Sequence, residues 1–170
     1  MIHLKQSTIM KRILLFTILL LTTLTVAAQN GKSIYQKYAG EENVSAVYVS
    51  SAMFRLIGKI PDLKAGNSDV DLSPIIRKLS GLYIINSENP SINANLQAEV
   101  GRFIANGRYE LLMEAIDSGE TMRMYSVGDE KTVNSFVMFA IDGDETTFIC
   151  FDGQMDRDQL ERILAEEMKK

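Results

Sequence analysis

The feature that most constrains this chain is an abrupt change of hydrophobic period near residue 108. Before it, Ile92, Leu96, Val100, Phe103 and Ile104 recur at helical spacing and share one face at 3.6 residues per turn. After it the period is two. Tyr109 to Ile116 and Thr121 to Val127 flank Asp117-Ser118-Gly119, and Val133 to Ile141 and Thr146 to Phe151 flank Asp142-Gly143-Asp144-Glu145. Alternation broken by a short polar, glycine-containing turn is the signature of a β-hairpin, here twice in succession. An amphipathic helix followed by a four-stranded meander restricts the fold to helices packed on an antiparallel sheet.

Upstream, Val44 to Val49 is rich in β-branched residues and reads as a first strand, and Leu82 to Asn86 as a second. Between them, Ser50 or Ser51 offers an N-cap for a helix ending about Gly58, residues 60–71 read as a loop, and Ser73-Pro74 starts a helix that runs to Ser80. Asn89-Pro90 repeats the cap-then-proline device at the head of the amphipathic helix, which turns Asn93, Asn95, Glu99, Arg102 and Asn106 outward and closes at Gly107. Asp156 to Gln159 resembles a capping box opening a last helix with Leu160, Ile163, Leu164 and Met168 on one stripe. The order β-α-α-β-α-β-β-β-β-α defines an α+β class. It predicts a single domain with a mixed, mostly antiparallel sheet of about five to six strands and helices packed on one face, the early crossovers giving parallel neighbours.

The amino terminus points to export. Lys11 and Arg12 precede an apolar-plus-threonine run from Ile13 to Val26, and Ala27-Ala28 follows. A basic n-region, an apolar stretch shorter than the roughly 20 residues of a bilayer span, and a small-residue exit describe a cleavable leader over residues 1–28. Met10 makes a tidier start than Met1, so residues 1–9 read as a start-site artefact. Residues 29–43 then form an arm or short helix, and 44–170 the α+β domain. Localisation is expected to be periplasmic or secreted after cleavage near Ala28, with no stable membrane anchor.

Composition excludes most familiar chemistries from the processed chain. Its only histidine, His3, lies in the leader, and Cys150 is its only cysteine. No Ser-His-Asp or Cys-His site, histidine-based metal site, cysteine-only zinc site or C-x-x-C pair can be built. No catalytic, cofactor-binding or metal residue is assigned, and no cofactor is expected. Cys150, between Ile149 and Phe151, reads as a small core hydrophobe.

Removing Lys5, Lys11 and Arg12 leaves 18 − 3 = 15 bases against 22 acids, a net charge of −7. That disfavours nucleic acid and anionic membranes. The acids concentrate from Glu110 to Asp158, 12 against three bases, whereas Gln29 to Tyr109 holds seven acids and nine bases. An acidic surface meeting a basic envelope protein is one reading, and solvated turns are the other.

Three weaker constellations complete the inventory. Glu110 and Glu114, four apart on a strand, would share a face like the carboxylate pair of a glycosidase, or else face solvent over a core formed by Tyr109, Leu111, Met113 and Ala115. Asp142, Asp144, Glu145, Asp152, Asp156 and Asp158 lack calcium-loop spacing. Met113, Met122, Met124 and Met138 fall in strands, as core fillers or as an adaptable, partly exposed interaction surface.

Val47 to Phe54, Leu72 to Ile76 leading to Leu82 to Ile85, and Tyr109 to Met113 onward resemble a family of short exported Bacteroidetes proteins, domain of unknown function 4252. The resemblance runs over the whole processed chain. It implies an envelope protein with no transferable active site; family members are often encoded beside sigma-factor genes, which implies a regulatory role. Some members look like lipoproteins, and this chain lacks their leader cysteine. The function expected is a non-catalytic binding or regulatory module of the envelope. The alternatives are a self-associating structural protein, hence a homo-oligomer, or a carboxylate-dependent enzyme acting on envelope glycans.

Overall fold

The computed structural model describes residues 31–59 and 72–167, with side chains to residue 162. The leader, the 60–71 loop and the Ile163–Leu164–Met168 part of the last stripe lie outside the residues so described. The described elements are α1 (Gly31–Tyr38), β1 (Val44–Ser50), α2 (Ser51–Ile57), α3 (Ser73–Ile76), β2 (Leu79–Ser87) and α4 (Pro90–Asn106). They continue as β3 (Glu110–Asp117), β4 (Glu120–Gly128), β5 (Thr132–Asp142), β6 (Glu145–Asp156) and α5 (Arg157–Glu167). The class is α+β, one domain around one six-stranded sheet of order β1-β2-β6-β5-β4-β3.

Every neighbouring pair in that sheet is antiparallel. The parallel neighbours expected from the early crossovers do not form. β1 and β2 run against each other from Val44↔Ser87 to Ser50↔Gly81, so the helical excursion between them returns the chain at the end where it left. β6 enters between β2 and β5, which makes β1 and β3 the edges.

Helices cover both faces, not one. On the first face, α1 and α4 bury Ile34, Tyr38, Leu96, Val100 and Phe103 against Tyr83, Ile85, Val137, Phe139, Phe148 and Cys150. Leu96, Val100, Val137, Phe148 and Cys150 are wholly inaccessible, so this is the main core. Burying a side chain of that size contributes about 1.5–3 kcal/mol. On the opposite face, α2, α3 and α5 bring Phe54, Ile75, Ile76 and Leu160 to Leu79, Leu82, Val133, Phe136, Phe151 and Met155 at one end of the sheet.

The helix ends follow from local chemistry. The Ser50 hydroxyl accepts from the Met53 N–H, and the Asn89 side chain from the Ser91 N–H with Pro90 in the first turn. The Asp156 carboxylate caps α5 by accepting from the Gln159 N–H at 3.0 Å. At the α4 C-terminus, Arg108 rather than Gly107 takes the left-handed conformation, with φ of 55°. The Tyr109 N–H reaches the Ile104 carbonyl and the Arg108 N–H that of Ala105, the paired bonds of a Schellman ending. Two expectations fail here. α3 stops at Ile76 rather than Ser80, and Gly81 lies inside β2, where the Tyr83 ring covers it so closely that a Cβ would meet the phenol oxygen at 2.5 Å.

Both hairpins form where the alternation places them. Ser118 and Gly119 both have positive φ, the requirement of a type I′ turn, and Gly143 alone does in the second loop, as type II′ demands.

Candidate interaction surface

The register of the sheet assembles one continuous apolar row. Val47 stands opposite Ile84, Ile84 opposite Ile149, Ile149 opposite Met138, Met138 opposite Met124, and Met124 opposite Met113. Directly opposed residues in antiparallel strands share a face. Val137 and Phe139 flank Met138 in sequence and point into the α1–α4 core, so the row lies on the other side of the sheet. None of its six members belongs to either helix-covered cluster. Val47 is exposed and the other five are half-buried.

A parallel row alongside carries Met122, Ala140 and Ala115, again opposed in register. Six strands at their usual spacing span roughly 24 Å, so the first row is a stripe of that length, whereas the second is apolar only across β3, β4 and β5 and continues through Thr147, Asn86 and Ser45. The four strand methionines are half-buried and, among the described residues, lie outside both buried clusters.

Acidic side chains gather at one end of this face. The β3–β4 turn contributes Asp117 and Glu120, the β5–β6 turn Asp142, Asp144 and Glu145, and Glu41, Glu42 and Glu88 flank the start of β1 and the end of β2. Backbone bonds hold these segments together: the Glu88 N–H donates to Asn43, and the Asn89 side chain to the Glu42 carbonyl at 2.8 Å. The segments 40–44, 86–90, 116–121 and 141–146 contain no lysine or arginine. The acidic pole is therefore not the carboxy-terminal half of the sequence; folding brings three carboxylates from the first half to it. A cleft of about 420 Å³ opens where pole and face meet, with Ala115, Met122 and Ala140 on its floor and Asp117, Glu120, Asp142 and Glu145 around it.

Polar side chains of α4 brace this end. Asn93, expected to face out, is buried and donates to the Asp144 carbonyl, while the Gln97 amide donates to the Thr146 hydroxyl at 2.8 Å. The Asn86 amide donates to the Glu145 carboxylate at 2.8 Å. On the core face, Glu99 of α4 accepts from Lys37 at 2.5 Å and from the Tyr38 hydroxyl at 2.8 Å. Burial opposes ionisation of Glu99, yet those hydrogen bonds and the nearby Lys37 and Arg102 charges hold its carboxyl below the usual range.

The paired carboxylates do not survive as a pair. The β3–β4 register shifts between Leu111 and Met113, leaving Leu112 as an extra residue. Glu110 therefore lies opposite Ser126 and Glu114 opposite Arg123, three residues apart on a regular strand, which puts the two acids on opposite faces. Glu114 accepts from Arg123 at 3.3 Å. Of the core expected beneath them, Tyr109 packs against the main cluster and Met113 is half-buried, whereas Leu111 and Ala115 are exposed.

Among the described residues no group of three or more acidic, histidine or cysteine side chains is arranged to hold a metal ion. Asp152 and Asp156 sit at the end of the sheet opposite Asp142 and Asp144. Cys150 is inaccessible, against Gly31 of α1, within 3.4 Å of Ser135 and Asp152. Burial, and then the Asp152 charge, push its thiol well above the ordinary range, which suppresses the reactive thiolate.

No curated protein and no solved structure matches the chain. The family model described as domain of unknown function (DUF4252) matches residues 35–163, from α1 into α5. The match takes in all six strands and the methionine face, and the chain belongs to the DUF4252 family.

Proposed function

We propose that this chain is an exported protein of the cell envelope and a non-catalytic binding module, which takes a protein partner on the methionine-lined face of its sheet. One observation carries the reading: the row Val47–Ile84–Ile149–Met138–Met124–Met113 crosses all six strands outside both helix-covered clusters. Half-buried apolar side chains lined up outside both clusters are suited to being covered by a partner. Methionine, unbranched and polarisable, lets one surface repack against different apolar partners.

The acidic pole supplies the partner's other property. A segment that lays apolar side chains on the methionine row and basic ones over Asp117, Glu120, Asp142 and Glu145 satisfies both parts. Attraction of that kind is screened by salt. The separation of Glu110 from Glu114 and the burial of Cys150 support a role without covalent or acid–base chemistry.

Two experiments test the reading. The full chain is expressed in a host with an export pathway, fractionated and sequenced from its amino terminus. A soluble periplasmic product beginning at Gln29 supports export; an uncleaved cytoplasmic product refutes it. The purified protein and its Met138→Lys and Leu56→Lys variants are then used to capture partners from native envelope extract. A partner retained by Leu56→Lys and lost by Met138→Lys, with binding weaker at high salt, supports the module. Equal capture by all three proteins refutes it.

A further inference from the structure

We propose that the partner contributes an extended, basic segment that pairs with β3 and adds a seventh strand to the sheet. The proposal rests on the protein-binding reading above and assigns its mode. β3 is an edge whose outer backbone groups have no neighbouring strand among the described residues. No β3 residue belongs to either hydrophobic cluster. Natural edges of this length are guarded by charged side chains, above all lysine, by proline, by bulges or by a covering element, and β3 has acids and the single bulge at Leu112. β3 (Glu110-Leu-Leu-Met-Glu-Ala-Ile-Asp117) contains no lysine, arginine or proline, and it exposes Leu111, Leu112 and Ile116 at 52%, 44% and 67%. The bulge at Leu112 interrupts one end and leaves Met113 to Asp117 as a regular run.

The other edge is dressed differently. α1 lies over β1, with the Tyr35 ring 5.8 Å from that of Tyr48, and β1 carries no charged residue. β3 is acidic. Glu110 and Asp117 at its two ends make no ion pair with a described residue, Glu114 holds Arg123, and Glu120 follows in the turn. Opposed charges across a strand pair stabilise it and like charges destabilise it. A second copy would bring Glu110, Glu114 and Asp117 against the same three carboxylates. A strand of alternating basic and apolar residues instead sets its ammonium or guanidinium groups on the face of Glu110 and Asp117, and its apolar side chains on the face of Leu111 and Ile116. Main-chain bonds would then hold the segment while alternate side chains select it.

The test uses the purified protein, a short synthetic peptide of alternating lysine and valine, and a control peptide with glutamate for lysine. Amide exchange is followed residue by residue, with light scattering on the same samples. The expected result is slowed exchange over Met113 to Asp117 with the lysine peptide alone. Affinity should fall about tenfold in Ile116→Lys and stay unchanged in Leu56→Lys, which adds the same charge elsewhere. Protection confined to the strand centres under Met124 and Met138 would overturn the strand-addition mode while leaving the methionine-face reading intact. Equal weakening by both lysine variants would reduce the effect to bulk charge and overturn the proposal. A dimer in the absence of peptide, abolished by Ile116→Lys, would assign the edge to a second copy and overturn the basic partner.

Discussion

Met124 on β4 and Met138 on β5 stand directly opposite each other on the sheet face that turns away from the α1–α4 core, both half-buried. Their sequence neighbours Tyr125, Val137 and Phe139 pack toward that core. One strand pair thus carries a core face and a half-buried apolar face one residue apart.

That separation predicts an asymmetry in stability. Phe148→Ala empties a wholly buried site and should cost about 3–5 kcal/mol of unfolding free energy. Met124→Ala, half-exposed and outside both clusters, should cost no more than about 1 kcal/mol. Urea denaturation of the two variants checks the contrast. Comparable losses would mean that the methionine row is core.

Glu99 is the hinge pin between α1 and α4. Glu99→Gln removes the Lys37 ion pair, which is largely solvent-exposed, and weakens the Tyr38 hydrogen bond, for a loss of about 1–2 kcal/mol. The wild-type carboxyl lies below its ordinary pKa of 4.5, so its contribution is complete above that pH and disappears as pH falls through the depressed folded value. Denaturation midpoints of the two proteins should therefore converge below pH 4.

At alkaline pH the sign reverses. Burial raises the pKa of Cys150 and of Tyr38, Tyr83 and Tyr109, with Tyr83 pushed up to about 12. Each group favours its neutral form in the fold, so the stabilisation is complete below the unfolded values of 9.0 and 10.0 and is lost as pH rises through the folded ones. Stability should decline from about pH 9 upward. The native thiol should react with a disulfide reagent only on unfolding, whereas Gly31→Ala, whose Cβ would lie 2.5 Å from the Cys150 sulfur, should open α1 and accelerate the reaction.

Arg108 and Gly107 make a sharper pair. Arg108 holds a φ of 55°, a conformation that disfavours a side chain, so Arg108→Gly should raise stability by about 0.5–1 kcal/mol. Gly107 has ordinary φ, but a Cβ there would lie 2.5 Å from the Tyr109 ring, and Gly107→Ala should destabilise. Thermal melts of both variants decide the signs.

The residues that were legible in the sequence are those whose structure is local. Asn89-Pro90, the Ser118-Gly119 turn and the Gly143 turn encode their own geometry, so α4 and both hairpins lie within a residue or two of expectation. What was not legible depends on partners distant in the chain. Nothing near Val44 or Ser87 announces that β1 and β2 run antiparallel, or that β6 inserts beside β2. The Leu112 bulge, a single extra residue, reverses the facing of Glu110 relative to Glu114 and is invisible to a count of alternation. Asn93 reads as outward because it is polar, yet the Asp144 carbonyl draws it inside. The methionines were visible as residues, and only the register across the sheet shows them to be neighbours on one open face.

Methionine oxidation footprinting tests the central claim most directly. The purified protein is treated with dilute peroxide, alone and in native envelope extract, and each methionine is quantified by mass spectrometry. Alone, Met113, Met122, Met124 and Met138 should oxidise together with the exposed Met53, while the buried Met155 stays reduced. In extract, the account predicts protection of the four sheet methionines with Met53 still oxidised. Oxidation of all five unchanged by extract, or protection of Met53 alone, would contradict a binding role for this face.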